Sequence, residues 1–439
     1  MILGVGGARA VAALGLNPPL YHLNEGHAGF LLLELIDREV TAGATLAEAL
    51  TRIEPHLLFT THTPVPAGID RFHHSLINDY LAPWAKRWSV KVAAVAELGH
   101  DPDGPDDEFN MALFCLRAAA RANGVSKLHG EVSRDLFGQV AKGAKIGSVT
   151  NGVHARTWIQ PRIGEAFDEV GGPGWADGDP DAWERIAAMD ASAIRNLRRR
   201  GGETLSQMVQ ERTGAKLEPE VLTVGFARRF ATYKRADLLL RYRKQLEQLL
   251  ADDSTPIQFV FAGKAHPADE PGKALLAHIV KFAKSKGANN RFVFVSDYDI
   301  AVAQAMYAGC DVWLNNPVRP REASGTSGEK AALNGSLNCS ISDGWWDEMA
   351  TDMNGWTIPA SDLDDPDARD AAESKAALDI ITDEIVPAYW ADGQPWGDPW
   401  IERVRACWTT LGPQVTAARM LTDYQDGLYR PMLDALSKR

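Results

Sequence analysis

The chain has 439 residues, 45% of them hydrophobic and 24% charged, which is ordinary for a soluble globular protein with chain enough for two or three cored domains. Its formal charge of −12 speaks against nucleic acid or an anionic membrane as the general partner. Cys115, Cys310, Cys339 and Cys407 stand apart without CxxC spacing, which predicts reduced thiols and a cytoplasmic setting. No HExxH, paired CxxC or calcium-type acidic loop points to a metal site.

Taken in chain order, the N-terminus lacks a basic leader and its apolar stretch is broken by Arg9, so neither a signal peptide nor a membrane span is expected. Gly4-Val-Gly-Gly7 fits the start of a helix. Short apolar runs that read as buried parallel strands are Leu20–Leu23, Leu57–Thr60, Ile146–Val149, Leu222–Gly225, Ile257–Ala262, Phe292–Val295 and Val312–Leu314. Helix-like segments lie between them at His27–Asp37, Ala112–Ala122, Lys234–Leu250, Lys273–Lys284 and Ile300–Tyr307. Such alternation predicts an α/β chain of βαβ units, cleanest from Val221 to Ile341, where it reads as one Rossmann-like domain. Gly171–Asp181, rich in Gly, Pro and Asp, is expected to be a loop between two lobes. The acidic stretches Asp101–Glu108 and Asp362–Asp370 read as solvated loops. The run Arg198-Arg199-Arg200 reads as an exposed helix face. Asn334-Gly335-Ser336 and Asn338-Cys339-Ser340 meet the glycosylation pattern only formally.

Two segments carry chemistry. Gly225-Phe-Ala-Arg-Arg-Phe-Ala-Thr-Tyr-Lys-Arg235 runs from a strand into a turn bearing Arg228, Arg229, Lys234 and Arg235. Ligands of doubly wound sheets bind beyond the carboxyl ends of strands, and cations there suit a multiply anionic ligand. Read as an ordinary helix start, the same cations would oppose the helix dipole. The second segment, Glu322-Ala-Ser-Gly-Thr-Ser-Gly-Glu-Lys330, brings small residues 324–328 into good helix formers. Such a turn can close backbone N–H groups on a phosphate, with the Lys330 amine just beyond.

Glu322–Gly335 resembles the pyridoxal-phosphate lysine motif of the α-glucan (glycogen/maltodextrin) phosphorylases, and Arg228–Arg235 resembles that family's phosphate-binding segment. Collinear matches include His22-Leu-Asn-Glu-Gly-His27, Thr61-His62-Thr63-Pro64, Asn123-Gly124-Val125 through His129, Thr150-Asn151-Gly152-Val153, Gly263-Lys264 and Asp343-Gly344. The wording Ser-Gly-Glu-Lys and Gly-Trp-Trp-Asp is nearest the shorter bacterial and archaeal branch. The resemblance implies a GT-B architecture of two Rossmann-like doubly wound lobes: residues 1–150 as the remainder of an N-terminal glucan-binding lobe, and 151–439 as a C-terminal cofactor- and phosphate-binding lobe with a returning helix. Because the family's first strands and a glycine-rich loop have no counterpart here, the N-terminal lobe is expected to be incomplete. Exposed strand edges then predict a homo-oligomer or marginal stability.

The implied reaction is reversible phosphorolysis of α-1,4-glucan or maltodextrin by inorganic phosphate, giving glucose 1-phosphate, with pyridoxal 5′-phosphate held on Lys330 and its phosphate serving as acid and base. The resemblance gives Arg229 and Lys234 the substrate phosphate and Arg228 and Thr326 the cofactor phosphate. Trp158 and Tyr298 fall beside the cofactor. Asn151, His62, Glu322, Ser324 and Gly325 fall on glucose hydroxyls, while His27 is expected to be structural. Two departures stand out: Ser327-Gly328-Glu329 replaces Gly-Asn-Met, placing an acid next to Lys330, and Asp299 replaces a basic residue. Two other readings stay open, a nucleotide-sugar glycosyltransferase of the glycogen or starch synthase type and a non-catalytic remnant.

Overall fold

A computed structural model describes residues 1–65, 68–138 and 146–438. The chain divides into two compact units, Met1–Thr150 with Leu421–Arg439, and Asn151–Met420. The terminal segment therefore belongs with the first unit. Among the described residues no helix is long and apolar enough to cross a membrane.

The first unit holds a four-stranded parallel sheet in the order β1 (Tyr21–Asn24), β2 (Leu57–Thr60), β5 (Arg121–Gly124), β6 (Ile146–Ser148), and a small antiparallel pair of β3 (Arg71–His73) with β4 (Glu108–Asn110). Residues 2–13 are helical, as Gly4-Val-Gly-Gly7 suggests. The helix expected over Ala112–Ala122 spans Met111–Ala118 and gives way to β5. The strand Arg-Ala-Asn-Gly lacks the apolar run that marks its neighbours, so periodicity alone merges it with the helix before it. Leu32, Leu33, Ile36, Leu57, Phe59, Phe109 and Phe114 form the core of this unit.

The second unit is built on a six-stranded parallel sheet ordered β12 (Gly355–Ile358), β11 (Leu337–Ile341), β10 (Val312–Asn315), β7 (Leu222–Arg229), β8 (Ile257–Lys264), β9 (Phe292–Val295). Counted from β7, this is the doubly wound dinucleotide-type order, with its reversal between β7 and β10. Val224, Phe226, Phe259 and Phe261 face one apolar layer, whereas Ala227, Val260, Ala262 and Trp313 face the other. That two-sided burial is why these strands read as continuous apolar runs.

Several expectations change here. Gly171–Asp181 lies inside the second unit, and its Trp175 is fully buried, edge-on to Phe167 at 5.6 Å and to Trp183 at 6.0 Å. Helix Lys234–Leu250 does not form as one piece; after short turns at Thr232–Lys234 and Leu238–Tyr242 the α-helix spans Arg243–Ala251. The cations of that segment therefore sit on a strand end and a turn, and no helix dipole opposes them. Asn334 and Asn338, the formal glycosylation asparagines, have no exposure.

Arg198 is the largest correction. It lies on the inner face of the helix Ala191–Thr213 with Ile194, Leu197 and Leu205, and its side chain is 0% exposed. It donates to the carbonyls of Ala308 (2.9 Å), Cys310 (2.6 Å) and Asn334 (2.8 Å) and pairs with Asp311 at 3.2 Å. Asp311 in turn accepts from the Thr223 backbone N–H at 3.0 Å and from the Trp396 indole at 2.8 Å. One cation thus caps the carboxyl ends of two helices, Ile300–Gly309 and Thr326–Leu333, and through Asp311 ties β7 to β10. Arg198→Ala should cost about 3–5 kcal/mol because it strands a buried carboxylate. A urea unfolding curve reads this as a large fall in midpoint, and an unchanged midpoint would refute the assignment.

Candidate functional site

The reversal between β7 and β10 places the carboxyl ends of two strands side by side, where a doubly wound sheet opens to ligands. Arg228 and Arg229 are the last residues of β7, and Asn315 is the last of β10. Arg228 is buried. Its guanidinium donates to Asn315 Oδ1, to Ser327 Oγ at 3.1 Å and to Glu322 Oε2 at 3.0 Å. Lys234, on the turn after β7, donates to both oxygens of Glu322, at 2.7 Å to Oε1. Arg229 is exposed and makes no ion pair among the described residues. Arg235 is turned away: it is buried against Asp370 and Glu373 and donates to the Asn316 and Pro317 carbonyls. Three cations against one carboxylate therefore remain at the strand ends, and their excess suits an anion.

Burial drives the titration of this cluster. Desolvation pushes Lys234 down to about 8 against the opposing pull of Glu322. The Glu322 carboxyl is held below its usual value: burial pushes it up, but Lys234 and Arg228 together outweigh that. Asp343 accepts from the Glu322 and Gly344 backbone N–H groups at 2.9 Å and 2.8 Å, and burial raises it to about 7.

The helix Thr326–Leu333 starts beside this cluster. Gly325 precedes it at φ +87°, a conformation that favours glycine, and no side chain caps the first turn. The open N–H groups and the dipole of that end favour a phosphate. Thr326 is half-buried at the first position, and the Ser324 carbonyl accepts from Trp345 N–H at 2.9 Å. At Gly328 a Cβ would lie 2.4 Å from Asn338 Oδ1 and 3.0 Å from the Trp345 ring, so close packing admits no side chain there.

Lys330 projects from the same helix onto aromatic faces. Its Nζ is 3.8 Å from the Trp158 ring centroid and 5.8 Å from that of Tyr307. Desolvation lowers its pKa, with Glu329 the opposing influence. A lowered amine is a better nucleophile at neutral pH. Tyr298 is half-buried, and burial raises the phenols of both Tyr298 and Tyr307. Tyr307 and Trp313 are additions that the sequence did not single out, and Ser327, read there as part of the small-residue turn, gains a role of its own. The Tyr307 ring packs on Trp313 at 4.6 Å, tilted by 52°, and the Trp313 indole donates to Ser327 Oγ at 3.2 Å. Aromatic character in a helix otherwise read as core was the available signal for Tyr307.

The two departures resolve structurally. Glu329 is 0% exposed and accepts from Ser324 Oγ at 3.5 Å, and burial raises it to about 8. Near neutral pH it is held mostly protonated, which limits the negative charge beside Lys330. Asp299 caps the helix Ile300–Gly309 by accepting from Val302 N–H at 2.8 Å and pairs with Arg212 at 2.8 Å. Asn151 is half-buried, with its carbonyl accepting from Arg419 at 2.8 Å.

In the first unit, His62 follows β2. Its Nε2 is 3.2 Å from Asn24 Oδ1, and its backbone N–H donates to Glu25 at 2.7 Å. Glu25 itself sits at φ +60° at the end of β1. His27 is exposed and pairs with Asp70 at 3.0 Å.

A family model of the carbohydrate phosphorylases matches residues 20–354. A glycogen phosphorylase of Mycobacterium tuberculosis is 44% identical over an alignment covering 98% of this chain and 54% of that protein. A maltodextrin phosphorylase of Thermococcus litoralis is 34% identical, over 99% of this chain and 53% of its own length. A glycogen phosphorylase of Aquifex aeolicus is also 34% identical, over 99% and 66% respectively. The chain spans about half to two thirds of the length of these relatives.

The buried Glu329 carboxyl ionises at 4.5 in an ordinary setting and at about 8 in the fold. The folded chain thus holds a proton that the unfolded chain releases, and Glu329 makes stability fall as pH rises from about 4.5 to about 8. Glu329→Gln, neutral throughout, should flatten that part of the curve. Urea unfolding across this range tests it, and parallel curves for variant and parent would exclude Glu329 as the source.

Proposed function

The chain belongs to the carbohydrate phosphorylase family, and we propose that it acts in reversible phosphorolysis of α-1,4-glucan to glucose 1-phosphate, with pyridoxal 5′-phosphate on Lys330. The observation that carries this reading is one juxtaposition. A desolvated amine lies on aromatic faces, on a helix whose uncapped start adjoins three cations set against a single carboxylate. A nucleotide-sugar transferase needs the cations but has no use for such an amine.

The residues fit the cofactor by their chemistry. The Lys330 amine would take the aldehyde, Trp158 and Tyr298 would flank the ring, and Arg228 with Thr326 at the helix start would hold the phosphate. When bound, the cofactor supplies a phosphate able to give and take a proton near neutral pH. Arg229 and Lys234 would bind the substrate phosphate and stabilise charge as the glycosidic bond breaks. Lys234, already drawn down to about 8, stays cationic at neutral pH and gains further charge stabilisation from an anion. Glu322, Ser324, Gly325 and Asn151 would meet glucose hydroxyls, and His62 would exchange a hydrogen bond with the sugar. The four buried free cysteines suit a reducing, cytoplasmic setting, and the glucan, inorganic phosphate and glucose 1-phosphate are the expected partners. Self-association into a homo-oligomer is part of the same reading.

Borohydride reduction after incubation with pyridoxal 5′-phosphate should fix the cofactor on one peptide, that of Lys330, and Lys330→Ala should abolish the label. Phosphate release from glucose 1-phosphate plus maltodextrin should require the cofactor and fall at least a hundredfold in the variant. Labelling scattered over surface lysines, or transfer from ADP-glucose in its place, would sink the reading.

A further inference from the structure

Asn334 closes the Lys330 helix and has no exposure. Its amide nitrogen donates to the carbonyl of Lys330 at 2.8 Å and to the carbonyl of Trp158 at 2.9 Å, while its oxygen accepts from the Gln160 backbone N–H at 2.8 Å. Its own carbonyl accepts from the buried Arg198 at 2.8 Å, which fixes the asparagine from behind. Both carbonyls gripped by this one amide belong to residues whose side chains meet, the Lys330 amine and the Trp158 indole. Trp158 stands on the short helix Ala155–Trp158, too short to hold its own orientation. The segment is otherwise held by exposed bonds, from Gln304 to the Thr157 carbonyl and from Arg156 to Asp168, and by the edge-on contact of the Trp158 ring with Tyr307.

We propose that Asn334 is a positioning residue that holds the Trp158 indole over the Lys330 amine, keeping water from the amine where it would take an aldehyde. This rests on the reading of Lys330 as the cofactor lysine, although the contact itself can be tested without a cofactor. Around the amine the titratable groups are Glu329 on its own helix and Tyr307 from the helix Ile300–Gly309. An indole face favours the cationic amine, yet desolvation outweighs it and the pKa is lowered. Removing the tether lets water reach the amine, and the pKa climbs back towards the ordinary lysine value of about 10.4.

The test is competitive acetylation of the full chain with trace acetic anhydride over a range of pH, each lysine quantified by mass spectrometry. In the parent, Lys330 should titrate below the exposed lysines. In Asn334→Ala its midpoint should rise towards that of the exposed lysines, read as a loss of Lys330 reactivity near neutral pH relative to the parent, with the other lysines unmoved. Gln160→Pro removes the N–H that Asn334 accepts, at a φ of −63° that proline adopts, together with the side-chain cap on Ile163 N–H, which lies away from the amine, and should shift Lys330 the same way by less. It decides the matter should Asn334→Ala not fold. A folded variant whose Lys330 titrates as in the parent overturns the proposal. A second arm adds pyridoxal 5′-phosphate: if the parent takes no label at Lys330, the cofactor reading fails, while the titration still decides the role of Asn334.

Discussion

The pairing of β7 with β10 is the constraint on which the candidate site depends. It is where the strand order reverses, and its register is short: Val312 beside Val224 and Trp313 beside Gly225. A short ladder needs securing, and it is secured at both ends by side chains. At the amino end Asp311 takes the Thr223 N–H and the Arg198 guanidinium. At the carboxyl end Arg228 on β7 reaches Asn315 on β10. Asn315 also donates to Asn338 at 3.4 Å, and Asn338 donates to the Gly328 carbonyl at 3.1 Å, so the same chain of amides runs from the sheet into the Lys330 helix. Stability and site geometry are one network here. An error in the β7–β10 register would move Arg228, Ser327 and Lys330 together.

Charge in this unit is sorted by what each buried group can find. Arg198 and Arg235 direct their terminal guanidinium nitrogens to buried carboxylates and carbonyls, so they stabilise the fold and are not available to a ligand. Arg228 and Lys234 share one carboxylate, Glu322, and Arg229 has none. The acids follow the converse rule. Glu329, buried without a cation in contact, keeps its proton, whereas Glu322, buried between two cations, loses it. The site is thereby left with uncommitted positive charge although the chain as a whole is acidic.

Much of the fold was legible in the sequence because parallel strands covered on both faces are apolar throughout. The seven runs read from Leu20 to Leu314 each meet a strand. What escaped lacked that signal. β5 is Arg-Ala-Asn-Gly and β3 is Arg-Phe-His, held by neighbours and not by their own hydrophobicity. The Lys234–Leu250 helix looked continuous because local propensity does not show that Arg235 is drawn into a left-handed turn by Asp370 and Glu373, more than a hundred residues away. Arg198 escaped for the same reason: a run of three arginines looks solvated until the carbonyls it serves are known. In the candidate site the charged residues were visible as a cluster, while Asn334 and Tyr307 act through bonds that close only in three dimensions.

The segment Ser327-Gly328-Glu329-Lys330 shows how a departure from a family's wording can preserve a physical arrangement. Helical geometry puts residues three apart on one face, so Ser327 and Lys330 look the same way. Ser327 accepts from Arg228 and Trp313, and Lys330 lies on Trp158 and Tyr307. Between them Gly328 is pressed against Asn338 and Trp345, and Glu329 points into the interior, where only a neutral form is tolerated. An acid beside the lysine is therefore compatible with a nucleophilic amine: the same burial that lowers Lys330 raises Glu329, and the two shifts leave both groups closer to neutral. Were that pair exposed, both would be charged, and the amine, protonated at neutral pH, would be unreactive. Burial, more than the identity of the residue before the lysine, sets what this helix can do.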